Sequence, residues 1–144
     1  MIHTTTSDWI GDMALETTIN GHKITMDADD QVGGKDAGPR PKPLLLAALS
    51  GCTAMDVISI LGKKRVAFDT FRIKATAEMT ETHPKVYTKI HLCYEFSGKD
   101  FANNEELLAK IRQAVNLSLD NYCGMAAMLK KICELTYEIN LRNS

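Results

Sequence analysis

No two of the four cysteines stand in a CxxC pair, and none lies near a histidine at zinc-finger spacing. A structural zinc site is therefore not expected from the spacing. A Gly-rich phosphate loop, a GxSxG elbow and an HExxH pair are equally missing, which removes the common signatures of nucleotide binding, α/β-hydrolase and zinc-protease chemistry. Charge of one sign is lacking too. The net charge is −1, with acids and bases interspersed, whereas a nucleic-acid or membrane-surface footprint needs one sign concentrated on a face. The first eighteen residues, MIHTTTSDWIGDMALETT, have neither a basic start nor a continuous apolar stretch. No secretory signal is read there, and a cytoplasmic location is expected, where disulfides tend to be catalytic.

Length predicts one domain over residues 1–144, large enough to bury a core without staples. The longest apolar stretch, Leu44–Leu61 (LLLAALSGCTAMDVISIL), is interrupted by Ser50, Gly51, Thr53, Asp56 and Ser59. An Asp near the centre of a membrane span costs about 3 kcal/mol. This stretch reads as a buried helix of a soluble protein.

What the chain does have is two cysteines in small-residue, apolar surroundings. Cys52 lies in Leu44–Leu61, and Cys123 in Asn121–Leu129 (NYCGMAAML). Only the fold can bring together positions so far apart.

Turn and periodicity signals order the rest. Asn20-Gly21 predicts a hairpin between Leu15–Ile19 and His22–Met26. Residues 27–41 are a polar connection rich in Gly and Pro, of a length that is more often functional or mobile than incidental. A helix is predicted from about Pro43 to Lys64, apolar around most of its circumference. On it Cys52, Asp56, Ser59 and Lys63 step by four, three and four residues, which places them on one narrow polar stripe. Thr70–Glu78 and Val86–Phe96 alternate with period two and read as strands, Cys93 falling on the more polar face of the second. A second helix begins after Asn103-Asn104, with Ile111, Val115 and Leu119 on its buried face. A third, Tyr122 to Ile132, is expected to be capped by Asp120-Asn121, and a last strand runs from Cys133 to Arg142. The order is that of an α+β chain. Met55, Met125 and Met128 fall at helical positions and read as core; His22, His83 and His91 read as hairpin, turn and strand positions.

A cysteine nucleophile reacts as thiolate. In the first turn of the third helix, Cys123 would be favoured by free N–H groups. Cys52 lies deep in its helix, and Asp56 one turn away opposes ionisation. Arg40 and Lys42, on the segment before that helix, are the nearest cations that could compensate.

The stretches GPRPKPLLLAALSGCTAMDVISIL, HPKVYTKIHLCYEFSGKD and LSLDNYCGMAAMLKKICELTYEI, in this order, resemble the OsmC/Ohr family, particularly its OsmC-like branch. The resemblance covers roughly residues 10–140. It implies an intertwined homodimer, with long cysteine helices packed centrally between antiparallel sheets and active sites at the subunit interface. It also implies reduction of organic hydroperoxides without a bound cofactor. Cys52 matches the attacking cysteine, which becomes a sulfenic acid, and Cys123 the resolving one, which condenses with it to a disulfide. A dithiol, either a lipoyl protein or a small thiol, would restore the pair. This chain departs from the family peroxidases at two places. The glutamate ten residues before the attacking cysteine is Lys42 here, and the N-terminal arginine has no counterpart, since residues 1–39 contain none. Arg40 and Lys42 are the candidates for the missing support.

Three readings follow: a hydroperoxide-reducing dithiol enzyme, an OsmC-fold thiol sensor without turnover, and a ligand-binding homodimer with inert thiols. A helix apolar on most sides needs cover that one small sheet and two short helices supply only in part, which favours a second copy of the chain.

Overall fold

Asn20 and Gly21 take positive φ angles of 50° and 81°, the conformation a two-residue hairpin turn demands and that Asn and Gly accept most cheaply. The turn joins strands β2 (Ala14–Ile19) and β3 (His22–Met26), paired antiparallel with Ile19 opposite His22. The expected hairpin is present. A further strand, β1 (Thr5–Gly11), pairs antiparallel with β2 and completes a sheet in the order β1-β2-β3. Six of its seven residues are exposed, so no alternation marked it in the sequence.

The computed structural model describes residues 1–144. It divides into two compact units, residues 1–45 and 46–144. In the first unit, the connection after β3 is organised by Asp27, which is 3% exposed. Its Oδ2 accepts the backbone N–H groups of Lys35 (2.9 Å) and Ala37 (3.1 Å), and its Oδ1 that of Ala28 (2.8 Å). These bonds, led by Lys35, hold the carboxyl below the usual carboxylate range. The loop is packed so closely that a Cβ on Gly34 would fall 2.0 Å from the Ala28 carbonyl oxygen.

Helix α1 spans Pro41–Lys63. Proline at its first position has no N–H to lose, and Pro43 still lies within the first turn, whose N–H groups have no intrahelical partner. Its buried residues, Leu49, Thr53, Val57 and Leu61, form a single stripe at intervals of four. The remaining apolar side chains are only partly covered, and Met55 and Ile58 are 72% and 48% exposed. The Met55 expectation therefore fails, as does that for Met128, which is 59% exposed.

The second unit contains a sheet of order β4-β5-β6: β4 (Thr70–Met79), β5 (Tyr87–Gly98) and β6 (Glu134–Asn143). β4 and β5 are antiparallel, whereas β5 and β6 are parallel, Tyr94 lying beside Ile139. A parallel pair needs a crossover connection. The segment from helix α2 (Glu105–Leu117) to α3 (Gly124–Leu129) supplies it. Of the two asparagines before it, Asn104 caps α2, its Oδ1 accepting the Leu107 N–H at 3.0 Å. Ile90, Leu92, Tyr94 and Phe96 on one face of β5 are wholly buried, along with Leu49, Val57 and Leu61 of α1 and Ile111, Ala114 and Val115 of α2. Phe71 stacks on Phe96 with centroids 4.3 Å apart. Truncating one of these large side chains to Ala costs on the order of 2–5 kcal/mol. Cys93 is on the opposite face of β5, as expected, but it is buried there and accepts a hydrogen bond from Asn140 Nδ2 at 3.2 Å.

A buried dithiol beside a hydroxyl chain

Between α2 and α3 the chain makes one π-helical turn, Ser118–Tyr122, closed by the Cys123 N–H bonded to the Ser118 carbonyl at 2.8 Å. Such turns occur often at functional positions. This one sets both of its ends against α1. At its start, Ser118 points into the core; at its end, Cys123 caps α3.

The cap differs from the expected one. Asp120 and Asn121 do not cap α3, which begins at Gly124; Cys123 itself is the cap residue, and its Sγ accepts the Ala126 N–H at 3.4 Å. Asp120 is instead paired with Lys130 at 2.7 Å. Nor does the helix start make Cys123 acidic. Its side chain is 2% exposed, and burial, followed by the neighbouring Cys52 thiol, pushes its pKa up to about 11 despite the N–H bond. Desolvation of a thiolate outweighs one hydrogen bond from a short helix.

Cys52, half-buried on α1, comes to Cys123 as expected. Cys52 Sγ, Cys123 Sγ and a carboxylate oxygen of Asp56 all lie within 4.8 Å of one another. Three of the four residues of the stripe predicted on α1 share one surface. Asp56, Ser59 and Lys63 line a pocket of about 340 Å³ together with Ile60, Leu117 and Tyr122.

Behind the two thiols and the carboxylate runs a chain of hydroxyls that the sequence did not single out. Tyr94 Oη lies 2.8 Å from Thr53 Oγ1, Thr53 Oγ1 lies 2.9 Å from Ser118 Oγ, and Ser118 Oγ lies 2.9 Å from Asp56 Oδ2. An ionised carboxylate only accepts. Ser118 is the donor toward both Asp56 Oδ2 and Thr53 Oγ1, its single proton serving one of the two bonds at a time, while Tyr94 and Thr53 can each donate to the other. Burial raises the Tyr94 phenol above its ordinary range, which keeps it a donor. Thr53, Tyr94 and Ser118 are each fully buried. A signal for two of them existed. Thr53 interrupts the apolar stripe of α1, and Ser118 continues the face of Ile111 and Val115. A hydroxyl where helical period calls for an apolar side chain needs a buried partner.

Arg40 belongs to the first unit, where its guanidinium contacts Asp36 Oδ1, Asp29 Oδ2 and the Gly38 carbonyl. Lys42 is exposed in the first turn of α1. Cys133 is half-buried, its thiol donating to the Leu129 carbonyl at 3.3 Å, and burial raises its pKa, as it does for Cys93.

Two thiols converging in an α+β domain, one half-buried and one buried, define a dithiol protein. The chain belongs to the OsmC-like protein family, whose pattern it matches over residues 33–138. It is 35% identical over 123 residues to Protein YhfA of Escherichia coli K12, covering 85% of each chain. Among solved structures it is similar to a hypothetical protein from Aquifex aeolicus VF5, at 27% identity and a TM-score of 0.80, covering 99% of this chain and 98% of that one. The organic hydroperoxide resistance protein OhrB of Bacillus subtilis shares the fold, with a TM-score of 0.66 at 12% identity over 97% of this chain and 98% of that one.

Proposed function

We propose that the protein is a thiol-dependent reductase of organic hydroperoxides that works through Cys52 and Cys123. The observation that carries this reading is the convergence of the two sulfurs within 4.8 Å. A disulfide bond of about 2.05 Å needs them to close by less than about 3 Å. Their unequal burial supports an order in which Cys52 attacks and Cys123 resolves. Cys52 is accessible enough to meet a peroxide, while Cys123, held neutral by burial, waits as the resolving thiol.

In the reaction, Cys52 Sγ as thiolate attacks the outer peroxide oxygen and the O–O bond breaks. The alkoxide takes a proton and leaves as the alcohol, while Cys52 becomes a sulfenic acid. Cys123 Sγ then attacks Cys52 Sγ. The sulfenic hydroxyl leaves as water with the Cys123 proton, and the disulfide forms. Asp56 lies close enough to both sulfurs to relay that proton from Cys123 to the departing hydroxyl, and the Ser118 hydroxyl holds its carboxylate in place. A dithiol, lipoyl or small, returns the pair to thiols by exchange and is itself oxidised.

The protein acts as a soluble, cytoplasmic homodimer. Although α1 is long and apolar enough to cross a membrane, its Asp56 is hydrogen-bonded to Ser118, and its uncovered Met55 and Ile58 suit the surface of a second copy. Lys42 supplies positive charge to the thiolate in place of the family glutamate and arginine. Ten residues of α-helix span about 15 Å, beyond the ~8 Å screening length at physiological salt, so that charge comes from the second copy.

The proximity of Asp56 to both sulfurs favours a second reading, in which the pair senses oxidants by forming the disulfide without sustained turnover. Peroxide consumption with excess dithiol separates the two. Many turnovers per chain support the reductase, and a single oxidation per chain supports the sensor.

A further inference from the structure

The carboxylate that hinders a thiolate would help a cation. Cys52 Sγ, Cys123 Sγ and Asp56 form a triangle of three donor atoms within 4.8 Å of one another, drawn from α1 and the cap of α3. Zinc bonds of about 2.3 Å to sulfur place two thiolates roughly 3.7 Å apart in a tetrahedron. The triangle therefore has to contract by about 1 Å at most. No spacing rule along the chain announced such a site, because its ligands come from separate helices.

The surroundings are those that metal ligands need. A ligating carboxylate is itself held in place by hydrogen bonds. Ser118 Oγ makes such a bond to Asp56 Oδ2, and Thr53 and Tyr94 fix the serine in turn. The sulfur of Cys123 has the Ala126 N–H as a donor, which suits a metal-bound thiolate. One carboxylate and two thiolates would carry three negative charges at close range. A divalent cation offsets two of them.

We propose that the reduced protein binds one thiophilic divalent cation of the zinc type through Cys52 Sγ, Cys123 Sγ and Asp56, with a fourth position open to water. Binding replaces the two thiol protons, which go to solvent. Because it uses both sulfurs, the cation and the Cys52–Cys123 disulfide exclude each other. The site goes beyond the peroxidase reading and stands whether or not peroxide is turned over.

The test is anaerobic titration of the reduced full-length protein with Co²⁺, followed by displacement with Zn²⁺. The expected result is one Co²⁺ per chain, with thiolate-to-cobalt charge-transfer absorption, tetrahedral visible bands and two protons released per ion. Cys52→Ser and Cys123→Ser should each remove most of the charge-transfer intensity and weaken binding at least a hundredfold. Asp56→Asn should weaken it about tenfold or more, and Ser118→Ala by about 10–100-fold, the usual effect of removing an outer-shell partner. Should any variant fail to fold, wild-type protein oxidised to the Cys52–Cys123 disulfide serves instead, and it must lose the cobalt signal and regain it on reduction. A reduced, folded protein giving no charge-transfer band, or one whose binding survives the disulfide, overturns the site. Peroxide consumption measured in the presence of a chelator is a separate readout. Its loss with cobalt binding intact counts against the enzyme alone, and the reverse counts against the cation site alone.

Discussion

Ser118 Oγ lies 2.9 Å from Asp56 Oδ2 and, on its other side, 2.9 Å from Thr53 Oγ1, so one serine at the start of a π-helical turn ties the second helix to the cysteine helix. The same turn ends on Cys123. Where Ser118 docks therefore decides where the second sulfur sits relative to the first.

Ser118→Ala removes a buried hydrogen-bonding partner from both Thr53 and Asp56. A destabilisation of about 1–3 kcal/mol is expected, read as a lower urea midpoint at an unchanged m-value. Tyr94→Phe leaves Thr53 bonded to Ser118 and should cost less, about 0.5–1.5 kcal/mol. If the two variants cost the same, the hydroxyls do not act as a chain directed at Asp56.

The two thiols should differ sharply in alkylation. With its pKa pushed up to about 11, Cys123 should react slowly with iodoacetamide in the native reduced protein at neutral pH. Its rate should climb throughout the alkaline range, with mass mapping to identify the peptide. The same shift links to stability. Below the ordinary thiol pKa of about 8.5 both native and unfolded Cys123 are protonated. Between that value and about 11 the unfolded chain loses its proton first, so stability falls as pH rises. Cys123→Ser should flatten that alkaline decline.

Asp27 has the opposite sign. Its folded carboxyl lies below the usual range because Lys35 and Ala37 donate to it. Its stabilisation is present above the unfolded carboxylate pKa and lost as pH falls through the lowered folded value. Asp27→Asn should reduce the acid dependence of unfolding and open the 27–40 loop to proteolysis, which gel analysis of limited digestion reads. An unchanged acid limb would remove Asp27 as the loop's organiser.

Lys42→Met should slow alkylation of Cys52 at fixed pH and low ionic strength, and added salt should narrow the difference from wild type. A rate that does not change removes Lys42 as the source of support. Sedimentation should give twice the chain mass at micromolar concentration; a concentration-independent monomer contradicts the dimer.

Much of this arrangement was legible in the sequence because it rests on local signals. Asn20-Gly21 marked its hairpin, Asn103-Asn104 its helix start, and the four-three-four spacing from Cys52 to Lys63 its polar stripe. The exposed strand β1 was not, because pairing with β2 rather than burial makes it a strand. The third helix was misplaced at its start because a π-helical turn follows from how α2 meets α1, and a pattern of residue types carries no such information. The same long-range packing decided the ionisation of Cys123. A local reading weighed only the helix start, whereas enclosure by the rest of the unit settles the sign.

The central claim is that Cys52 and Cys123 act as one redox pair on organic hydroperoxides. Reduced protein treated with a stoichiometric bulky organic hydroperoxide, then alkylated and mapped by mass spectrometry, tests it most directly. The account predicts release of the alcohol, loss of two thiols per chain and a Cys52–Cys123 disulfide, with Cys123→Ser stopping at a trappable sulfenic acid on Cys52 and Cys52→Ser consuming no peroxide. Thiols that stay reduced, or a disulfide that involves Cys93 or Cys133 instead, would contradict it.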